Sequence, residues 1–196
     1  EFVFGDWSSD VCSSDLSSGF AALAAACAWA SGVELPARRL SELARFGSAS
    51  AARSVFGGFV LLDRGARSAV ALYPPEHWPD LRVVAAITRA APKDVSSRDA
   101  MESSRTSSPY YRAWVASSRA LLPEGLRALA DRDLERLGDL ARVSALRMHA
   151  VMLAARPPAA YWVPETVAAM AACAALRRRG VGAWETMDAG PQVKVL

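Results

Sequence analysis

The chain has 196 residues, 52% of them hydrophobic and 22% charged, and a mean hydropathy of +0.12, a composition that excludes a disordered tail or a fibrous repeat. Its 23 basic and 20 acidic residues are mixed along the sequence and leave a formal net charge of +3, so no strong field favours nucleic acid or an anionic membrane. The longest uncharged apolar stretch, residues 20–33, falls short of the roughly 20 residues a membrane-spanning helix needs. Three cysteines, Cys12, Cys27 and Cys173, form no CxxC pair, which argues against a disulfide framework or a zinc site and makes a reducing, cytoplasmic setting the default expectation. Cys27 and Cys173 read as small core residues of Ala-rich helices.

Residues 1–16 have neither helical nor strand periodicity and clash with the Ala/Arg-rich composition that follows. The string DWSSDVCSSDL at 6–16 is identical to the translation of a common sequencing-library adapter, so the reading sets 1–16 apart as an artefact and expects authentic sequence from Ser17. A helical run over 20–30 is closed by Ser31-Gly32, and Leu35-Pro36 opens a second helix through Phe46 with Leu40, Leu43 and Ala44 on one face. Residues 47–50 break it and begin a third, short helix through Val55. Gly57-Gly58 leads into a strand over 59–62, a turn at Asp63-Arg64-Gly65 and a second strand over 69–73.

Pro74-Pro75, Glu76 and His77 mark a domain boundary, after which 81–87 is a β-branched run suited to a buried strand. Residues 97–179 are mostly helical, with breaks at 107–109, at Pro123 and at Pro157-Pro158. Arg177-Arg178-Arg179 reads as the cationic last turn of a helix before a Gly180 cap. Two strands, 182–187 and 192–196, close the chain around a turn at 188–191. This order of elements predicts an α/β (α+β two-layer) fold.

Three clusters carry candidate chemistry. In the first, Gly47 is followed by Ser48, Ala49, Ser50, Ala51, Ala52 and Arg53; a helix start with two hydroxyls and a guanidinium three residues beyond Ser50 is a candidate anion cradle. The competing structural account makes one serine a cap and Arg53 a solvated side chain. In the second, Ser96 with Asp99 resembles a capping box, and Ser97 and Arg98 follow it. A cation at Arg98, in the first turn, opposes the helix dipole at a cost of about 0.3–1 kcal/mol, which an incoming anion reverses. Thr106-Ser107-Ser108-Pro109 reads as a cap followed by Pro at the first helical position. The third is Asp188 at the end of an apolar strand, before Gly190-Pro191; taken alone, an aspartate there only bonds its own backbone. His149 reads as a packed or capping histidine, since no second His or Cys stands at metal spacing, and the aromatic residues at 110, 111, 114, 161 and 162 read as core or interface.

Taken together, these segments resemble the diphosphomevalonate decarboxylase family of the GHMP kinase superfamily. The matching motifs are RFGSASAARSVFGGFV at 45–60, WPDLRVVAAIT and KDVSSRDAM within 78–101, TSSPYYRAWV at 106–115, MHAVMLAARPP at 148–158 and TMDAGPQVKVL at 186–196. The resemblance implies a partial N-terminal GHMP kinase domain over 17–76 and most of a ferredoxin-like C-terminal decarboxylase domain over 77–196. It also implies ATP and Mg2+ as cofactors, mevalonate 5-diphosphate as substrate and isopentenyl diphosphate as product, in a cytoplasmic enzyme that pairs as a homodimer. Carried over by position, Asp188 is the catalytic carboxylate beside the substrate's 3-hydroxyl. Ser48, Ala49, Ser50, Ala51, Ala52, Arg53, Ser97 and Arg98 bind its carboxylate and diphosphate, and Ser18 belongs to the nucleotide's phosphate loop.

Ala49 stands where the family usually has Gly and Ala52 where it often has Cys. The serine pair of the family's phosphate loop falls on Asp15 and Leu16, and the N-terminal strand region with its Lys is missing, so the expectation is that the intact parent protein is the enzyme and that this chain alone is inactive. The alternatives are a phosphomevalonate decarboxylase or mevalonate 3-kinase of the same superfamily, and, from another class, a non-catalytic helical interaction module.

Overall fold

The computed structural model describes residues 14–89 and 97–196, apart from the side chains of 14–16 and 98. Cys12, Ser96 and most of the segment set apart as an artefact lie outside the described residues. The chain divides into two compact units, one ending at Asp80 and the other running from Leu81 to Leu196. Among the described residues no helix is long and apolar enough to cross a membrane.

In the first unit, α1 (Ser14–Ala30) and α2 (Ala37–Gly47) precede a 3-10 turn (Ser50–Ala52), an antiparallel hairpin of β1 (Phe59–Leu61) and β2 (Val70–Tyr73), and a second 3-10 turn (Pro75–His77). Its core is built on small residues: Ala21, Ala44 and Ala51, with Phe20, Ala24 and Val55 packed around them. Small side chains permit close backbone approach, and Gly47 shows how close: a Cβ there would overlap the Phe20 ring. The buried face of α2 runs through Ser41 and Ala44, whereas Leu43, expected on that face, is exposed. Cys27 is exposed and corrects the core expectation, because an alanine-rich helix has no strongly apolar side to turn inward; Cys173 is buried as expected.

The third helix expected through Val55 is only the 3-10 turn. In an α-helix the Ala52 carbonyl would accept from Phe56, but the Ser41 hydroxyl donates to it at 2.7 Å and the Phe56 N–H turns to Arg53 instead.

The second unit holds a three-stranded antiparallel sheet in the order β3 (Val84–Ala86), β5 (Val193–Val195), β4 (Glu185–Thr186), with Val195 opposite both Val84 and Glu185. Strand β3 lies at an edge with Val83, Val84 and Ile87 exposed, so its β-branched run is not the buried strand the sequence suggested. Four helices accompany the sheet among the described residues: α5 (Leu134–Leu153) and α6 (Pro164–Arg178) pack against it, and α3 (Ser97–Ser107) and α4 (Tyr111–Asp131) pack on α5.

Pro123 does not break α4. It sits exposed in the helix interior, while Gly125, Ala128 and Leu129 are buried where α4 packs along α5, and this packing overrides the local propensity. The chain instead reverses at Arg132, in the left-handed conformation (φ 57°), and Asp133 caps α5 by accepting the Arg136 N–H at 3.0 Å. Pro109 is not at the first helical position either, since Tyr110 is the cap residue of α4; the Ser107 hydroxyl accepts the Arg156 N–H at 2.7 Å and so ties α3 to the loop after α5.

Helix α6 ends as predicted, with Arg177 and Arg178 in its last turn and Gly180 at φ 77°, but Arg177 also reaches Glu185. Glu185, 4% exposed at its side chain, accepts from Arg142 Nε at 2.7 Å and Arg177 Nη1 at 2.5 Å. Burial raises its pKa, but the hydrogen bonds from Arg177 and Arg142 outweigh this and hold the carboxyl below its ordinary value.

Candidate active site

The first unit assembles a chain of hydroxyls. Ser17, buried on α1, hydrogen-bonds Ser50, and Ser50 in turn pairs with Ser48 at 2.8 Å. Ala51 and Ala52 are fully buried beneath them, Ala49 is exposed, and Ser18 follows Ser17 on the exposed side of α1. The Arg53 N–H donates to Ser50 O at 3.0 Å, so the two residues eclipse, as the spacing predicts. Its side chain is half-buried, and its Nε is buried with no hydrogen-bond partner among the described residues. A buried guanidinium N–H without an acceptor is costly, and an anion removes that cost.

Ser41, which no local motif marks, positions this cradle. Fully buried, it donates to Ala52 O at 2.7 Å and accepts the Ala69 N–H at 2.9 Å, tying the 3-10 turn to the hairpin.

The second unit places Ser97 half-buried at the start of α3. The side chain of Arg98 lies outside the described residues. Ala100, one turn into α3, is buried in a cluster with Met152 of α5 and Ala189, and this contact draws the opening turn of α3 to the loop that carries Asp188. Asp188 is half-buried two residues beyond β4, and Gly190 after it takes φ 89°, a conformation that suits glycine.

The Asp188 turn is pinned from several directions. His149 on α5 is 3% exposed; its Nε2 lies 2.9 Å from the Asp188 carbonyl and its Nδ1 accepts from Trp162 Nε1 at 3.2 Å. Fully buried Thr166 donates to Pro191 O at 2.8 Å, and Thr88 donates to the same carbonyl at 2.9 Å. Gln192 binds the Thr88 N–H at 2.6 Å and Arg89 O at 2.5 Å. Burial pushes the His149 pKa down to about 4, although its bond to the Asp188 carbonyl works in the opposite direction. The aromatic expectations divide: Trp162 packs against His149, while Tyr110 is exposed.

Ser17, Ser48, Ser50 and Arg53 are thus gathered in the first unit, and Ser97 and Asp188 in the second. Ser41, Thr88 and Thr166 carry no local motif that marks them, and His149, expected as a packed or capping histidine, is buried and bonded to a main-chain carbonyl. A histidine on the helical face that carries Ala145 and Met152 was the available signal, but its partner lies 39 residues on and leaves no local trace. No cluster of three or more His, Cys, Asp or Glu able to hold a metal occurs among the described residues. Hydroxyls and a guanidinium fit phosphate oxygens, and a magnesium ion in such a setting takes its ligands chiefly from phosphate and water.

The mixed helix and sheet architecture is that of the GHMP-like small-molecule kinases. Residues 8–72 match the diphosphomevalonate decarboxylase-like N-terminal domain, beginning inside the stretch set apart at 1–16, and residues 83–196 match the mevalonate 5-diphosphate decarboxylase C-terminal domain. The diphosphomevalonate decarboxylase of Candida albicans is 32% identical over 184 residues, 90% of this chain and 51% of that protein. Mevalonate diphosphate decarboxylase from Staphylococcus aureus superposes with a TM-score of 0.85 at 38% identity, over 90% of this chain and 55% of that one. MDDEF in complex with MVAPP, AMPPCP and magnesium superposes with a TM-score of 0.87 at 38% identity, over 95% of this chain and 58% of that one. The chain belongs to the mevalonate 5-diphosphate decarboxylase family, and it spans about half the length of the curated relatives it matches.

Proposed function

We propose that the full-length protein carrying this chain decarboxylates mevalonate 5-diphosphate to isopentenyl diphosphate at the expense of ATP. The observation that carries the reading is the buried Arg53 Nε, which has no acceptor among the described residues, three residues along the chain from Ser50, whose hydroxyl joins those of Ser17 and Ser48. The MDDEF complex with MVAPP, AMPPCP and magnesium supports the ligand set. In this reading Ser48 to Arg53, with Ser97 and Arg98, hold the substrate's carboxylate and diphosphate, and Ser18 faces the nucleotide phosphates. ATP with Mg2+ supplies the γ-phosphoryl group.

A tertiary alcohol is too weak an acid for a carboxylate to ionise beforehand. Asp188 therefore orients the 3-hydroxyl and takes its proton as the phosphoryl group moves. Phosphorylation makes the 3-oxygen a good leaving group, and its departure draws CO2 from the neighbouring carboxylate. The domain division at 17–76 and 77–196, the exclusion of 1–16, the cytoplasmic location and the homodimer belong to the same reading; the two-unit division of the chain supports the first of these, and the last two rest on the family resemblance.

The test is Asp188→Asn in the full-length protein. Turnover of mevalonate 5-diphosphate is expected to fall by about 10²–10⁴-fold, the usual worth of a positioned acid or base, with nucleotide binding retained. Unaltered turnover removes Asp188 from the mechanism.

A further inference from the structure

The tautomer of His149 is fixed by its two partners. Indole Nε1 is a donor only, so the 3.2 Å contact from Trp162 makes His149 Nδ1 an acceptor, and a neutral imidazole whose Nδ1 accepts carries its proton on Nε2. That proton points at the Asp188 carbonyl 2.9 Å away. At 3% exposure no bulk water competes for either nitrogen, and a ring flip would set carbon against both partners. At the other end of the same four-residue turn, the Pro191 carbonyl is held by Thr166 of α6 and by Thr88. One anchor from α5 and another from α6 therefore hold the carbonyls at the two ends of the turn, those of Asp188 and Pro191, and the first constrains the direction in which the Asp188 side chain leaves the backbone.

We propose that His149, as the neutral Nε2–H tautomer oriented by Trp162, is a positioning residue that aims the Asp188 carboxylate by holding its main-chain carbonyl. This rests on the reading of Asp188 as the catalytic carboxylate. The anchor matters because a misplacement of about 1 Å in a reacting group costs on the order of 10²-fold in rate. His149 touches no reacting atom in this account, so its loss acts on kcat and leaves the grip on the polyanion, which other residues provide, unchanged.

Two measurements test it. In the full-length protein, His149→Leu is expected to lower kcat for mevalonate 5-diphosphate by roughly 10–100-fold with little change in KM. His149→Gln, whose amide nitrogen reaches the same carbonyl, is expected to restore most of the loss. An unchanged kcat in the leucine variant, or a glutamine variant as slow as the leucine one, overturns the inference. Where the leucine variant does not fold, His149→Gln and the second measurement decide. That measurement is imidazole 15N NMR on the 196-residue chain, in which His149 is expected to show a protonated Nε2 and a bare Nδ1; the opposite tautomer overturns the inference. Asp188→Asn, assayed alongside, separates the two readings. Full turnover in that variant sinks the carboxylate's role and the positioning role with it, whereas a dead Asp188→Asn beside an unaffected His149→Leu sinks the positioning role alone.

Discussion

A buried histidine that stays neutral makes this protein's stability depend on pH in a calculable way. In the unfolded chain His149 titrates at its ordinary value of 6.5, whereas burial in the folded chain lowers the pKa to about 4. The folded pKa is depressed, so below the unfolded pKa the unfolded state binds a proton that the folded state refuses. The stability is therefore fully present above 6.5 and is lost progressively as pH falls toward 4. Linkage between those two values gives a loss of about 2 kcal/mol at about pH 5 and almost none at about pH 7.5. The perturbation is His149→Gln, which keeps a donor for the Asp188 carbonyl but cannot titrate. Urea unfolding of both chains at the two pH values, followed by circular dichroism, supplies the free energies. The two chains differ at position 149 alone, so the comparison isolates the contribution of His149. On acidification the parent chain is expected to lose about 2 kcal/mol more than the variant. Equal losses would refute the reasoning, because they would mean that His149 takes up its proton as readily folded as unfolded.

Two further outcomes follow from buried polar contacts. Ser41→Ala leaves the Ala69 N–H and the Ala52 carbonyl without their partner in a fully buried place, and the urea midpoint is expected to fall by the equivalent of about 1–3 kcal/mol. Glu185→Gln strips the charge from a side chain 4% exposed between two guanidinium groups; because Arg142 and Arg177 are partly solvated, the expected cost is about 2–3 kcal/mol, below that of breaking a fully buried pair. The contribution of Glu185 has the sign of a depressed carboxyl. It is present above the ordinary value of 4.5 and is lost as pH falls through the lower folded value, so the gap between parent and variant should close in acid.

Sequence alone located most helices and the two hairpins, because their signals are local. The Gly57-Gly58 and Asp188–Pro191 turns, the Ser31-Gly32 stop and the Gly180 cap are all read within a few residues. The stretch from Ser48 to Arg53 stands out by its residue types, whereas Asp188, for which a turn aspartate is account enough alone, becomes a candidate only through the family resemblance. Tertiary packing decided what lies beyond that range. Pro123 stays inside α4 because packing on α5 holds the helix together through it, and β3 is an exposed edge because sheet order is set by which strands meet. The 3-10 turn stops at Ala52 because a serine eleven residues earlier takes its carbonyl. His149 acquires its partner the same way, across 39 residues. Local propensity and periodicity are sums over neighbours along the chain, whereas the partner of a buried donor or acceptor is fixed by which surfaces the folded chain presses together, and that is why the turns and helix stops could be read in advance and the partners of Ser41 and His149 could not.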